Sequence, residues 1–360
     1  MEAFFRDMER ERPIRFSQQQ LAVYTDYYSQ RLGSGGFGVV YRGTFPNGVQ
    51  IAVKILNRSL DERVKEQFMA EVSTIGRIHH INLVRLYGFC FDSTMWALVY
   101  EFMGNGSLDK YLFTENRVIR WEELHRIAIG TAKGLAYLHE DCQQKIIHYD
   151  IKPGNVLLDV NFIPKVADFG LAKLRNRESS YVTLTGARGT PGYAAPELWF
   201  PSPITEKCDV YSFGMMLFEI IGRRRNLHVE NDEEVEWFPR WVWEKFNQDR
   251  LDEVVMVSGI EEKCNETAKR AVLVALWCVQ YTPDARPPMS SVVKMLEGGV
   301  RILGPPDPFQ RFASYEASDV SWMDDKTTTT GAGEFRYRDA NPIVGGVTSS
   351  SSSTEFLRRY

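Results

Sequence analysis

The chain has 360 residues, 44% hydrophobic and 25% charged, a balance that supports a large buried core rather than a disordered chain. With 43 Lys and Arg against 47 Asp and Glu, the net charge of −4 offers no general attraction to nucleic acid or anionic membrane. Five scattered cysteines without a C-x-x-C pair argue against a disulfide framework or zinc site and suit a reducing compartment.

Residues 1–26 are charged and Gln-rich and read as an approach segment to the first lobe. The N-terminus has neither a signal-peptide profile nor a myristoylation glycine. No apolar run reaches the roughly 18 residues of a membrane helix. A cytoplasmic chain is therefore expected, if membrane-associated then only peripherally. A strand-rich block follows. Tyr28–Gly33 and Phe37–Thr44 read as strands, Phe45-Pro46-Asn47-Gly48 as a hairpin turn, and Val49–Leu56 as a third strand. From Asp61 to Ile78 the spacing of Val64, Phe68, Val72 and Ile75 is helical, with Glu71 at the edge of the inward face. Strands return at Leu83–Cys90 and Trp96–Phe102. After Gly104 the chain is mainly helical, and 206–221 is apolar on nearly every side, the mark of a helix buried all round. The Trp237, Trp241 and Trp243 cluster reads as packing. Beyond Gly304, Pro-, Thr- and Ser-rich runs read as a disordered tail.

Chemistry concentrates between His148 and Gly170. Asp150, Lys152, Asn155 and Asp168 fall on loops between short apolar runs. An Asp that orients a hydroxyl, a Lys that meets phosphate, and an Asn and second Asp that hold magnesium make a phosphoryl-transfer set. Any one of these residues is equally an ordinary turn former; their conjunction with the upstream motifs carries the reading. Gly33-Ser34-Gly35-Gly36-Phe37-Gly38-Val39-Val40 is a G-x-G-x-x-G-x-V loop whose glycines let backbone approach phosphate. A dinucleotide-binding loop is its rival, but that motif needs strand, glycines and helix in order. Here the glycines join two strands. Ile51-Ala52-Val53-Lys54 places a lysine in a buried-type strand, and a lysine there calls for a partner, which Glu71 offers.

Downstream, Gly189-Thr190-Pro191-Gly192-Tyr193 precedes Ala195-Pro196-Glu197. The intervening loop carries Lys173, Arg175, Arg177, Ser179, Ser180, Thr183, Thr185 and Arg188 and reads as an activation and substrate-docking segment. Glu197 is expected to pair with Arg286, and Asp209 to anchor the 148–155 loop.

In their order and spacing these motifs resemble the eukaryotic protein kinases over roughly residues 27–300. Leu98-Val99-Tyr100-Glu101-Phe102, Gly106-Ser107-Leu108 and Asp209-Val210-Tyr211-Ser212-Phe213-Gly214 resemble the plant receptor-like kinases of the receptor-kinase/Pelle group. His148-Tyr149-Asp150-Ile151-Lys152-Pro153 with Gly189-Thr190-Pro191-Gly192-Tyr193-Ala194 is similar to the leaf-rust-resistance branch. The resemblance implies an α+β bilobal fold: a small β-rich lobe with one helix (27–103), a larger helical lobe (104–300) and a tail (301–360). It implies a non-specific serine/threonine protein kinase using ATP with Mg2+ or Mn2+. ATP would be lined by Leu32, Gly33, Ser34, Gly35, Gly36, Phe37, Gly38, Val39, Val40, Ala52, Lys54, Glu71 and Leu157, with Tyr100 as gatekeeper and Glu101 to Met103 as hinge. Asp150, Lys152 and Lys54 would be catalytic, and Asn155 and Asp168 would hold metal. Protein substrates, membrane receptors and no nucleic acid are the implied partners.

Lys152-Pro153 resembles serine/threonine rather than tyrosine kinases, although Tyr181 and Tyr193 are conceivable acceptors for a dual-specificity enzyme. A nucleotide-binding scaffold without turnover is the rival class; loss of Lys54, Asp150 or Asp168 would mark it, and none is lost. Two departures stand out. Tyr149 replaces the arginine that in many kinases pairs with an activation-loop phosphate, which predicts independence from that phosphorylation. The chain also shows neither the ectodomain nor the membrane span of receptor-like relatives.

Overall fold

The computed structural model describes residues 13–35, 38–57, 62–114, 119–175, 189–199, 203–230 and 234–309. Gly36, Phe37, residues 1–12, the 176–188 loop and the tail from 310 lie outside them.

A six-stranded sheet forms the smaller lobe, in the order β1-β5-β6-β4-β3-β2. Its strands are β1 (Ile14–Arg15), β2 (Arg31–Gly35), β3 (Gly38–Thr44), β4 (Gln50–Leu56), β5 (Leu86–Phe91) and β6 (Trp96–Glu101). Alternation along each strand divides its two faces. Ile51, Val53, Ala97 and Val99 point to a small outer core closed by Phe16 and Leu21. Leu56, Leu86, Leu98 and Tyr100 join the main core, which continues into the larger lobe.

Residues ahead of the strand block complete the outer core. β1 pairs in parallel with β5, Ile14 opposite Gly88. The approach is so close that a Cβ on Gly88 would stand 2.0 Å from the Ile14 carbonyl oxygen. Helix α1 (Gln18–Tyr24) starts with a capping box, Ser17 accepting from the Gln20 N–H at 3.2 Å while the Gln20 side chain accepts from the Ser17 N–H at 2.8 Å.

Two strand expectations shift at their starts. Asp26, Tyr27 and Tyr28 have φ of 48°, 52° and 63°, a left-handed run incompatible with a strand, so β2 begins at Arg31. Leu83 and Val84 do not extend β5: Leu83 bridges Val166, and the Val84 N–H donates to the Val166 carbonyl, tying the lobes together. The Asn47-Gly48 turn forms as expected, with φ of 85° at Gly48. The helical pattern of 61–78 becomes α2 (Glu62–Thr74) and a short turn through Arg77.

In the larger lobe, β7 (Gly106–Ser107) precedes α3 (Asp109–Leu112) and α4 (Trp121–Ala136) and pairs antiparallel with β9 (Val156–Leu158), while β8 (Lys145–Ile147) pairs antiparallel with β11 (Lys173–Arg175). β10 (Pro164–Val166) pairs antiparallel with β9. Helix α5 (Lys207–Gly222) is buried from Cys208 through Ile221. It is the post around which the lobe packs. Trp237 packs on Phe309 at 4.7 Å and Trp241 on Phe238 at 5.7 Å, so the tryptophan cluster is packing. Residues 301–309, which the resemblance assigns to the tail, lie against this lobe. Trp277 donates to the Leu303 carbonyl at 2.9 Å, and Phe309 is buried. No helix among the described residues is long and apolar enough to cross a membrane.

Candidate active site

Strand register builds the roof of the cleft. Val40 faces Lys54 across β3 and β4; Lys54 faces Leu98, and Ala52 faces Tyr100, across β4 and β6. Ala52 and Lys54 therefore share the inward face. A cavity of about 670 Å3 opens beneath them, lined by Leu32, Gly33, Ser34, Val40, Ala52, Lys54, Tyr100, Glu101, Met103, Asn155, Leu157 and Asp168. Val39 is absent from this lining because the pleat turns it to the other face. Gly35 and Gly38 sit at the loop ends, outside the lining. Gly38 takes φ of 148°, and a Cβ there would lie 2.0 Å from the Ile55 carbonyl oxygen, so only glycine fits. Gly36 and Phe37 fall outside the described residues. Val84, Phe102 and Ala167 also line the cavity. They carry no polar signal in sequence, and only the tertiary fold reveals them.

At the back of the cavity Lys54 Nζ lies 2.9 Å from Glu71 Oε1 and 3.0 Å from Asp168 Oδ1. Burial alone would depress the ammonium, but the Asp168 and Glu71 carboxylates outweigh it and hold Lys54 above its ordinary value. Glu71 moves the other way: burial pushes it up to about 7 against the pull of Lys54. Burial also opposes ionisation of Asp168, yet the charge of Lys54 keeps that carboxyl below the usual range. The Tyr100 hydroxyl donates to the second Glu71 oxygen. Glu101 turns its carboxylate out of the cleft, accepting from the Arg85 N–H at 2.7 Å and pairing with Lys165 at 3.1 Å.

The loop from His148 to Asn155 hangs from α5. Asp209 accepts from the N–H groups of His148 and Tyr149, each at 2.8 Å, and bonds His139 Nε2 at 2.9 Å. This anchor supports Tyr149 at φ 69°, with its side chain buried. His148 Nε2 donates to the Ala167 carbonyl at 3.0 Å, while Nδ1 accepts from the Asp150 N–H at 3.2 Å. The imidazole thereby links the two chemistry-bearing loops. Asp168 is also left-handed, at φ 63°, with Phe169 buried beneath it against His148.

Asp150 sits in a compact polar cluster. Its Oδ1 accepts from Thr190 Oγ1 at 2.5 Å, and its Oδ2 accepts from Asn155 Nδ2 at 2.9 Å and lies 2.9 Å from Lys152 Nζ. Lys152 also donates to Thr190 Oγ1 at 2.7 Å. Thr190 is thus locked to both Asp150 and Lys152. Below, Arg286 forms a bidentate pair with Glu197 at 2.5 and 2.9 Å, fixing the Ala195-Pro196-Glu197 turn on α5.

A two-lobed α+β architecture with this lysine, two-carboxylate and asparagine arrangement in the interlobe cleft is that of a protein kinase domain. The sequence profile of the family described as protein tyrosine and serine/threonine kinase matches residues 27–296, and the chain belongs to that family. It is 44% identical to the rust resistance kinase Lr10 of Triticum aestivum, over 86% of this chain and 49% of that protein. It is 47% identical to the G-type lectin S-receptor-like serine/threonine-protein kinase SD2-5 of Arabidopsis thaliana, over 82% and 36%. To the Arabidopsis leaf rust 10 disease-resistance locus receptor-like protein kinase-like 2.4 it is 42% identical, over 87% and 51%. The chain thus spans between a third and a half of the length of these receptor-like kinases.

Proposed function

We propose that this chain transfers the γ-phosphate of ATP to serine and threonine hydroxyls of proteins. The observation that carries the reading is the Asp150–Thr190–Lys152 cluster, a hydroxyl amino acid held between a carboxylate and an ammonium where an acceptor hydroxyl would enter. Supporting it, the relatives named serine/threonine-protein kinases align over most of the chain.

Lys54, braced by Glu71, meets the α- and β-phosphates. Leu32, Val40, Ala52 and Leu157 sandwich the adenine, with Tyr100 behind it and the backbone of Glu101 to Met103 at its edge. The acceptor oxygen forms its bond to the γ-phosphorus as the bond to the ADP oxygen breaks, and Asp150 orients the hydroxyl and takes its proton. Lys152 offsets the charge of the transferred group.

Protein kinases use a divalent metal, and two residues here suit one. Lys54 occupies one Asp168 oxygen and Asp150 occupies the Asn155 amide nitrogen, leaving an Asp168 oxygen and the side-chain Oδ1 of Asn155 as hard donors. Among the described residues no cluster of three or more His, Cys, Asp or Glu forms a metal cage. A cation that draws most ligands from phosphate and water, as Mg2+ does and Mn2+ can, fits that pair. When bound it would neutralise phosphate charge.

Because Tyr149 occupies the arginine position, we infer that activity does not depend on activation-loop phosphorylation. The receptor-like names of the relatives support work beside membrane receptors. Acid hydrolysis of a protein substrate labelled by the chain tests specificity: phosphoserine and phosphothreonine are expected, and phosphotyrosine as the main product would refute it.

A further inference from the structure

A second groove, of about 490 Å3, opens beside the hinge and shares only Glu101 with the nucleotide cavity. Ile78, Ile81 and Tyr87 make its apolar wall, and Ile81 is 62% exposed. Its charged groups are Arg85, Lys165 and Glu101, with His79 and His80 at the rim. Lys165 pairs with Glu101, while the Arg85 guanidinium lies over the Tyr87 ring at 5.1 Å, so the groove is net cationic beside an apolar wall.

The chain enters at this groove. β1 runs parallel to β5 with Ile14 opposite Gly88, so one step back puts Pro13, the first described residue, opposite Tyr87. Pro13 Cγ stands 2.8 Å from where a Gly76 Cβ would be, against the turn that ends α2, the helix bearing Glu71. The residues before Pro13 include the apolar Phe4, Phe5 and Met8, the carboxylates Glu2, Asp7, Glu9 and Glu11, and the guanidinium groups of Arg6, Arg10 and Arg12. Eight residues at up to roughly 3.5 Å each span about 28 Å, enough for Phe5 to cover a groove that starts at Tyr87.

We propose that residues 1–12 dock in this groove, with Phe4 and Phe5 on the Ile78–Ile81–Tyr87 wall and a glutamate on Arg85. Seated there, the segment braces the hinge at Glu101 and the end of α2 together, and so tightens nucleotide binding from outside the cleft. The regulatory half rests on the kinase reading; the docking half does not.

A photo-reactive benzoylphenylalanine placed at the exposed position 81 of the full chain tests the docking. A crosslink within one molecule to residues 1–12 is expected, lost in Phe4→Ser/Phe5→Ser. A crosslink to residues 310–360 or to a second copy, or none, would overturn it. In parallel, Phe4→Ser/Phe5→Ser and Ile81→Asp are each expected to raise the KM for ATP about 3- to 10-fold, with no further rise when combined. Unchanged KM values, or additive ones, would overturn the regulatory role. Crosslinking needs no turnover, so a chain that crosslinks but transfers no phosphate refutes the activity and leaves the docking standing.

Discussion

Lys54 and Glu71 meet at 2.9 Å across the smaller lobe, and the two groups shift in opposite senses, the lysine held above its ordinary value and the glutamate raised by burial to about 7. The pair is therefore charged above neutrality and loses the glutamate charge below it.

As pH falls through about 7, Glu71 takes up a proton and Lys54 loses one of its two carboxylate anchors. The kcat/KM for ATP is expected to fall on the acid side with a midpoint near that value. In Glu71→Gln this acid limb disappears, and activity at pH 8 drops by about 10- to 100-fold, of the order of 1.4–2.7 kcal/mol in barrier. A pH–rate profile of both proteins checks it.

Asp209 holds two backbone N–H groups of the loop that carries Asp150. Asp209→Asn converts one acceptor oxygen to a donor and misplaces that loop. A fall in kcat of about 10- to 100-fold is expected, with the ATP KM changed less because Asp209 does not line the nucleotide cavity. Steady-state kinetics separate the two.

Arg286 is buried and spends its guanidinium on Glu197 and on the carbonyls of Gln280, Lys207 and Tyr281. Arg286→Met removes the bidentate partner of a buried carboxylate and is expected to cost about 3–5 kcal/mol. Denaturant unfolding measures this, and Arg286→Met/Glu197→Met is expected to recover part of the loss.

Glu219 is raised to about 7 by burial, although the Tyr193 hydroxyl and the Asn226 N–H donate to it. With the folded value above the unfolded one, its stabilising contribution is complete below about 4.5 and is lost as pH rises through about 7. The stability of the natural chain relative to Glu219→Gln is thus expected to decline from pH 6 to 8. Melting curves across that range report it.

The activation loop gives a further expectation. Replacing Ser179, Ser180, Thr183 and Thr185 together by alanine is expected to cost less than a hundredfold in activity, below about 2.7 kcal/mol in barrier. A larger loss would refute independence from loop phosphorylation.

Much of this site was legible in the residues themselves. Lys54 and Glu71 were paired from a lysine in a buried strand and a carboxylate at a helix edge. Arg286–Glu197 and Asp209 with the 148–155 loop could be foreseen because buried charges need partners. The outward turn of the Glu101 side chain, toward the Arg85 N–H and Lys165, was not legible, because those neighbours are distant in sequence. The strand expected from Tyr28 failed because three consecutive left-handed residues leave no local signature in bulky side chains. The helix that the Ser17–Gln20 capping box starts went unread, because seven residues are too short for a periodic signal. Val84 and Ala167 became visible as cavity wall only once the lobes met.

The central claim is that these groups converge to move a phosphate, and Asp150→Asn tests it most directly. Transfer of label from γ-labelled ATP to a protein substrate is to be measured beside nucleotide binding by the same protein. The variant is expected to bind ATP within about threefold of the natural chain, while transfer falls by at least roughly a thousandfold, about 4 kcal/mol. Transfer that survives within threefold, with binding intact, would contradict it.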